Sequence, residues 1–251
     1  MKTARVFCLL GLMPLVSTPL LAAEGESGPR WAGLTFSGSL TLTTDYVSRG
    51  LTTSDKQPAV QGAVNANHAS GFYGSLWASN IDLNDGEGTA VEVDLTGGFA
   101  KAWENGFDLD LGLIQYLYPS SPSRLDYNYR EYFIGGGYKL DKASLKIKHY
   151  YSDDASGVGD NSASYLDTQL AYELPRNFTL KGHFGHAYGD AIKASNALGI
   201  KSFDDYSVGV ATEVAGFGAE LTLAGMDKDG RTLNPTTHAN GRVILAVSKS
   251  F

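Results

Sequence analysis

Alternate residues along most of this chain separate into an apolar set and a polar set. Between 36 and 46 one register reads Phe36, Gly38, Leu40, Leu42, Thr44 and Tyr46, and the other reads Ser37, Ser39, Thr41, Thr43 and Asp45. Successive side chains of a strand point to opposite faces, so this segment predicts a strand with one apolar and one polar face. The same period recurs at 58–68, 90–100, 107–113, 144–151, 165–174, 178–184, 205–214, 217–223 and 242–251. In 90–100, for example, Val91, Val93, Leu95 and Phe99 oppose Glu92, Asp94 and Thr96. Two further strands are expected at 72–82, where both registers hold an aromatic, and at 130–139, where Tyr132, Ile134 and Tyr138 form the apolar face. The pattern therefore predicts about twelve strands and an all-β fold.

The connections between these strands alternate in length. Short ones fall at 68–71, 103–106, 140–143, 174–177 and 215–216; long polar ones fall at 48–57, 83–89, 119–129, 153–163, 189–204 and 228–239. A soluble meander has no reason to sort its turns in this way. An outer-membrane barrel does, because it has short periplasmic turns, longer external loops and an even strand count. Closure removes the sheet edges, which lipid does not tolerate. The expected fold is a transmembrane antiparallel up-and-down β-barrel with apolar residues toward lipid and polar residues toward the lumen. Aromatics at strand ends, among them Phe36, Tyr46, Phe99, Phe107, Tyr172, Phe178, Phe217 and Phe251, are expected in the two interfacial girdles.

The first residues change the picture by adding a destination. Lys2 and Arg5 precede an apolar stretch over 6–21, and Ala22 and Ala23 precede Glu24, which reads as a secretory signal peptide. The expected organisation is a signal peptide at 1–23, a short periplasmic segment at 24–33 and the barrel at 34–251. The one cysteine, Cys8, lies within the signal, so the mature chain has no disulfide and no thiol chemistry. After residue 23 no apolar run is long enough for a transmembrane helix. The formal charge is −7, and −9 without Lys2 and Arg5, which argues against a nucleic-acid partner.

Several blocks resemble the TorF family of proteobacterial porins: DYVSRGLTTSDKQPAVQG at 45–62, SGFYGSLWASNID at 70–82, VEVDLTGGF at 91–99, YLYP at 116–119, REYFIGGGY at 130–138 and VSKSF at 247–251. The similarity covers essentially the whole mature chain and implies an outer-membrane porin. Lys249 departs from the usual aromatic two residues before the terminal Phe251, at a position where lysine can snorkel.

Candidate chemistry lies mainly on the polar registers. Ten acidic residues (Asp45, Glu92, Asp94, Asp108, Asp110, Asp167, Glu173, Asp205, Glu213, Glu220) and four basic ones (Lys146, Lys148, Lys181, Arg242) are expected to line a pore of net negative charge. His183 and His186 of HFGH, three apart on a strand, face opposite ways and cannot share an ion. His149 and His186 are read as outward-facing, flanking a strand that carries Ser164 and Thr168, with no acidic partner turned outward nearby. An outward lipid hydrolase built on Ser164 and these histidines is the alternative to a channel, and a non-conducting barrel is a third reading. NDGEG at 84–88 and DKDGR at 227–231 lack the ligand spacing of a calcium loop and read as solvated turns. The function expected is passive diffusion of small hydrophilic solutes or ions, cation-preferring, with no cofactor and no catalytic residue. The expected partners are outer-membrane lipid, lipopolysaccharide and, through the strand ending in Phe251, the barrel-assembly machinery.

Overall fold

The computed structural model describes residues 30–31, 33–155 and 161–251. Twelve strands form one closed antiparallel barrel. They are β1 (Leu34–Thr43), β2 (Ala59–His68), β3 (Phe72–Asn80), β4 (Val91–Ala102), β5 (Phe107–Leu117), β6 (Tyr129–Leu140), β7 (Ala143–Ser152), β8 (Ala163–Leu174), β9 (Phe178–Gly189), β10 (Ser202–Val214), β11 (Phe217–Met226) and β12 (Arg242–Ser250). Each strand pairs with its sequence neighbours, and β12 closes on β1 with Ala246 opposite Thr43 and Ser250 opposite Ser39. Phe251 extends the seam by exchanging two backbone hydrogen bonds with Gly38, at 2.8 and 3.0 Å. Its ring covers Gly38, where a Cβ would meet it at 2.5 Å, so glycine is what allows the terminal aromatic to lie flat on the seam.

The faces are inverted relative to a soluble protein. Leu40 and Leu42 are 49% and 55% exposed, while Thr41 and Thr43 between them are buried. The same holds around the barrel, with Val60, Leu95, Leu111, Ile134, Leu170, Val208, Leu221 and Val243 outside and Gln61, Glu92, Asp110, Glu131, Asp167, Asp205 and Thr222 buried inside. The ambiguous 72–80 strand turns Phe72 and Leu76 out and Trp77 and Ser79 in. The 129–140 strand turns Tyr132, Ile134 and Tyr138 out.

The two ends of the barrel differ. Turns of a few residues join β2 to β3, β4 to β5, β6 to β7, β8 to β9 and β10 to β11; the long connections all lie at the other end. That end carries two short helices, α1 (Asp190–Ala194) and α2 (Lys228–Leu233). The DKDGR stretch supplies the start of α2, and the Asp227 carboxylate caps it by accepting from the Gly230 N–H at 2.7 Å. The signal peptide expected at 1–23 lies outside the described residues. Of 24–33, the pair Arg30–Trp31 is hydrogen-bonded antiparallel to the start of β1.

Two expectations for the first connection are corrected. Tyr46 is not an interfacial aromatic: it is 1% exposed and packs edge-on against Trp77 inside the barrel, with ring centroids 5.4 Å apart. The wall strand ends at Thr43, so the alternation that assigned Tyr46 to the lipid face no longer applies beyond it. The stretch 48–57 is not simply an external loop either, because residues 46–54 are mostly buried and enter the lumen.

Candidate functional site

The site is the filled half of the lumen, beside the long connections, and it is built around a small hairpin. Val47–Ser48 pairs antiparallel with Leu51–Thr52, leaving Arg49 and Gly50 as a two-residue turn. Both have positive φ, 44° and 75°, the mirror-image turn geometry whose twist suits a tight hairpin. Glycine suits the second position, and a Cβ there would also strike Met226 and Asp205 at 2.6 and 2.7 Å.

Asp45 fixes the base of the hairpin. One carboxylate oxygen accepts from the Thr52 and Ser54 hydroxyls at 2.6 and 3.1 Å, and the other accepts from Arg242 Nε at 2.9 Å. The connection between β11 and β12 holds the other side, through Thr52 N–H to Thr237 O and Ala239 N–H to Gly50 O, each 2.7 Å. The hairpin is thus tied both to the wall and to a neighbouring loop.

At the tip, Arg49 reaches across to β6. Its two terminal nitrogens donate to the two oxygens of Glu131, each at 2.8 Å, in the bidentate geometry that suits a guanidinium and a carboxylate. Arg49 is 7% exposed and Glu131 1%. The guanidinium carbon also lies 4.3 Å from the Tyr165 ring centroid and 5.1 Å from that of Tyr150. The Tyr116 hydroxyl donates to Glu131 at 3.1 Å, and the Tyr116 ring stacks on Tyr129 with centroids 4.5 Å apart. Buried charges are tolerated when paired and hydrogen-bonded, and this pair is both.

Ion pairs continue around the wall. Lys148 donates to Asp110 at 2.5 Å and Lys181 to Glu220 at 2.6 Å. His183 lies 3.1 Å from Asp167 and 3.5 Å from Asp205, and the Tyr165 hydroxyl donates to Asp205 at 2.9 Å. Gly185 leaves room for that arrangement, since a Cβ would overlap the Tyr165 hydroxyl. The Glu92 carboxylate accepts from Tyr118 at 2.9 Å, while Asp94, one pleat repeat along, is 3% exposed.

Two cavities occupy the lumen toward the short-turn end. One, of about 780 Å³, is lined by Asp45, Glu173, Lys181, Glu213 and Glu220 among others. The second, of about 380 Å³, is lined by Asp108, Lys146, Lys148, Asp167, Glu173, Lys181 and Asp205, and by Arg49, Tyr150 and Tyr165. Glu92 and Asp94 lie in the packed part, and Glu173 and Glu213 are exposed at the short-turn end. Arg49, Glu131 and the inward tyrosines are absent from the sequence-based set. Glu131 was available from parity, since Tyr132 outward requires Glu131 inward. The Arg49-Gly50 turn had a weaker signal, a glycine between two short β-prone stretches.

The outer surface holds a second cluster. His149 on β7, Leu166 on β8 and His186 on β9 lie in one cross-strand row, with Asp204 on β10 opposite His186. The His186 and Asp204 side chains meet at 2.6 Å, and Tyr188 Oη is 3.1 Å from His149 Nε2. An acidic partner therefore does face outward, contrary to expectation; β10 begins at Ser202 rather than 205, which brings Asp204 onto the wall. Among the described residues no hydrogen bond joins Ser164 to either imidazole. His183 and His186 lie on opposite faces.

The fold is shared with known proteins. A family model matches residues 26–251. The chain belongs to the Gcw_chp family of bacterial proteins of unknown function. No curated protein matches it in sequence. In structure it is similar to the KdgM porin, with a TM-score of 0.54 and 10% identity over 86% of this chain and 99% of that one. It is also similar to the NanC porin, with a TM-score of 0.52 and 8% identity over 85% and 98%. The COG4313 outer membrane channel of Pseudomonas putida F1 gives 0.50 and 12% over 90% and 98%. At these identities the likeness is one of fold.

Proposed function

We propose that this Gcw_chp protein is an outer-membrane channel for passive diffusion of small hydrophilic solutes or ions, held closed by the 46–54 hairpin. The observation that carries the reading is the charged lumen, with two cavities ending at one ion-paired plug, inside a barrel whose outer surface is apolar. The signal-like N-terminus, the TorF-like blocks and the porin neighbours support the same reading. Cation preference follows from the inward excess of acidic groups, which is unchanged when Arg49 and Glu131 are added because they cancel. The fixed charges act on passing ions without making bonds. The assembly machinery, lipid and lipopolysaccharide are the partners that such a location implies.

The test is conductance of the refolded full chain in a planar bilayer. Discrete conductance steps, more frequent in the Arg49→Ala/Glu131→Gln double variant, are expected. A double variant as silent as the wild type would favour a non-conducting barrel, a reading to which the packed half of the lumen lends weight.

The outward His186–Asp204 pair gives the lipid hydrolase one specific argument. Against it, Ser164 has no hydrogen bond to an imidazole that would activate it. His186→Ala is expected to leave phospholipid turnover at background, as in the wild type. Lipid cleavage that disappears in this variant would establish the enzyme instead.

A further inference from the structure

The lumen contains a complete guanidinium site, and its occupant belongs to the chain itself. In a dry setting a guanidinium is best held by a carboxylate that matches its fork and by flat aromatic faces. Here the fork partner is Glu131 on β6, and the faces are Tyr150 on β7 and Tyr165 on β8, at 5.1 and 4.3 Å. Tyr116 on β5 donates a further hydrogen bond to Glu131 at 3.1 Å. All four groups belong to the barrel wall. Only the guanidinium comes from the hairpin.

The wall groups have supports of their own besides Arg49. Tyr165 is held by Asp205 at 2.9 Å, Tyr116 by its stack on Tyr129, and Tyr150 by Phe133 with centroids 5.8 Å apart. Arg49, Tyr150 and Tyr165 also line the 380 Å³ cavity, so a solute there meets the two tyrosine rings and the Arg49 side chain that covers Glu131.

We propose that this cage is a binding site for small guanidinium-bearing solutes, and that Arg49 is a tethered stand-in which such a solute displaces, unlatching the hairpin. The binding stands on the geometry alone; the opening rests on the channel reading above. Exchange of one guanidinium for another keeps Glu131 paired, so it avoids the penalty of leaving a buried carboxylate alone. The released Arg49 side chain has Asp167 and Asp205 within the same cavity. Because Arg49 is tethered, it competes at an effective concentration of order millimolar. The apparent affinity of the wild type for a free solute is lowered by the fraction of time that the cage stands vacant. An ammonium lacks the fork and urea lacks the charge, so neither should substitute.

The experiment uses the refolded full chain as wild type, Arg49→Ala and Arg49→Ala/Glu131→Gln, with folding checked by heat-dependent gel mobility. Agmatine is the probe, and 1,4-diaminobutane and urea are the controls. Millimolar agmatine should raise wild-type conductance severalfold, and the controls at the same concentration should not. By calorimetry Arg49→Ala should bind agmatine at concentrations at least tenfold below those that open the wild type, and the double variant should not bind. Arg49→Ala binding no better than the double variant would overturn the site. Wild-type conductance that ignores agmatine while Arg49→Ala conducts would overturn the displacement. Where Arg49→Ala does not fold, calorimetric binding of agmatine to the wild type that is lost in the double variant supports the proposal, and equal binding to both refutes it. Agmatine binding to Arg49→Ala with no conductance in any variant leaves the cage standing and removes the channel.

Discussion

Arg49 and Glu131 illustrate what a single buried pair contributes and how it is found. Each is enclosed, so removing one leaves the other charged and largely shielded from solvent. Arg49→Ala is expected to lower the unfolding free energy by about 3–5 kcal/mol, the usual cost of orphaning a buried ion. Arg49→Ala/Glu131→Gln should recover much of that loss, because the carboxylate no longer needs a partner. Urea midpoints of the refolded proteins check this, and a double variant less stable than Arg49→Ala would contradict it. The two residues differ in how legible they were. Glu131 sits on a wall strand, where parity alone turns it inward once Tyr132 faces outward. Arg49 sits where the chain has left the wall, and period-2 reading has no meaning there. Its block, DYVSRGLTTSDKQPAVQG, stood out by resemblance, but its contacts are with β6, β7 and β8, far along the chain.

At the scale of elements, each wall strand is specified by its own residues, and the hairpin is specified jointly by its turn and its surroundings. The turn demands positive φ at Gly50, and the surroundings leave no space for a side chain there. A β-branched residue fails on both counts. Gly50→Val is therefore expected to expel the hairpin while leaving the twelve wall strands paired, since no wall strand depends on residue 50. Limited trypsin digestion reads this directly. Wild-type protein should resist cleavage after Arg49, and Gly50→Val should be cut there with its heat-dependent gel mobility retained. Equal resistance in both would mean that the turn tolerates the side chain. The outward cluster is less legible in the sequence for a related reason. Parity turns His186 outward, but its partner Asp204 lies one residue before the strand start that the pattern predicts, and strand ends are the least determined part of a periodic pattern.

For the whole molecule, the barrel was legible because its two strongest signals, inverted alternation and sorted turn lengths, survive without any knowledge of three-dimensional contact. Its filling was not, because an open pore and a packed plug both present polar residues inward, and only contacts between distant strands tell them apart. That distinction decides which charges can act on a passing ion. Glu92 and Asp94 were expected to line a pore, yet they lie 0% and 3% exposed within the packed part. Lys181 neutralises Glu220 at 2.6 Å. Glu173 and Glu213 are different: both line the 780 Å³ cavity and are exposed at the short-turn end, where Glu173 meets a solvated Lys139 at 3.0 Å. Fixed negative charge at a narrow mouth concentrates cations and repels anions, most strongly at low salt, where screening is weakest. Glu173→Gln/Glu213→Gln is therefore expected to reduce cation preference, measured as reversal potential across a salt gradient in the double-variant background that removes the plug's ion pair. Stability should barely change, since lumen substitutions are tolerated. Leu95→Lys, between Asp94 and Thr96 but on the outer face and further from the strand's end, should instead leave selectivity alone and cost roughly 2–4 kcal/mol. A Leu95→Lys barrel as stable as its parent, together with mouth variants that fail to fold, would mean that the polar face is not the inner one.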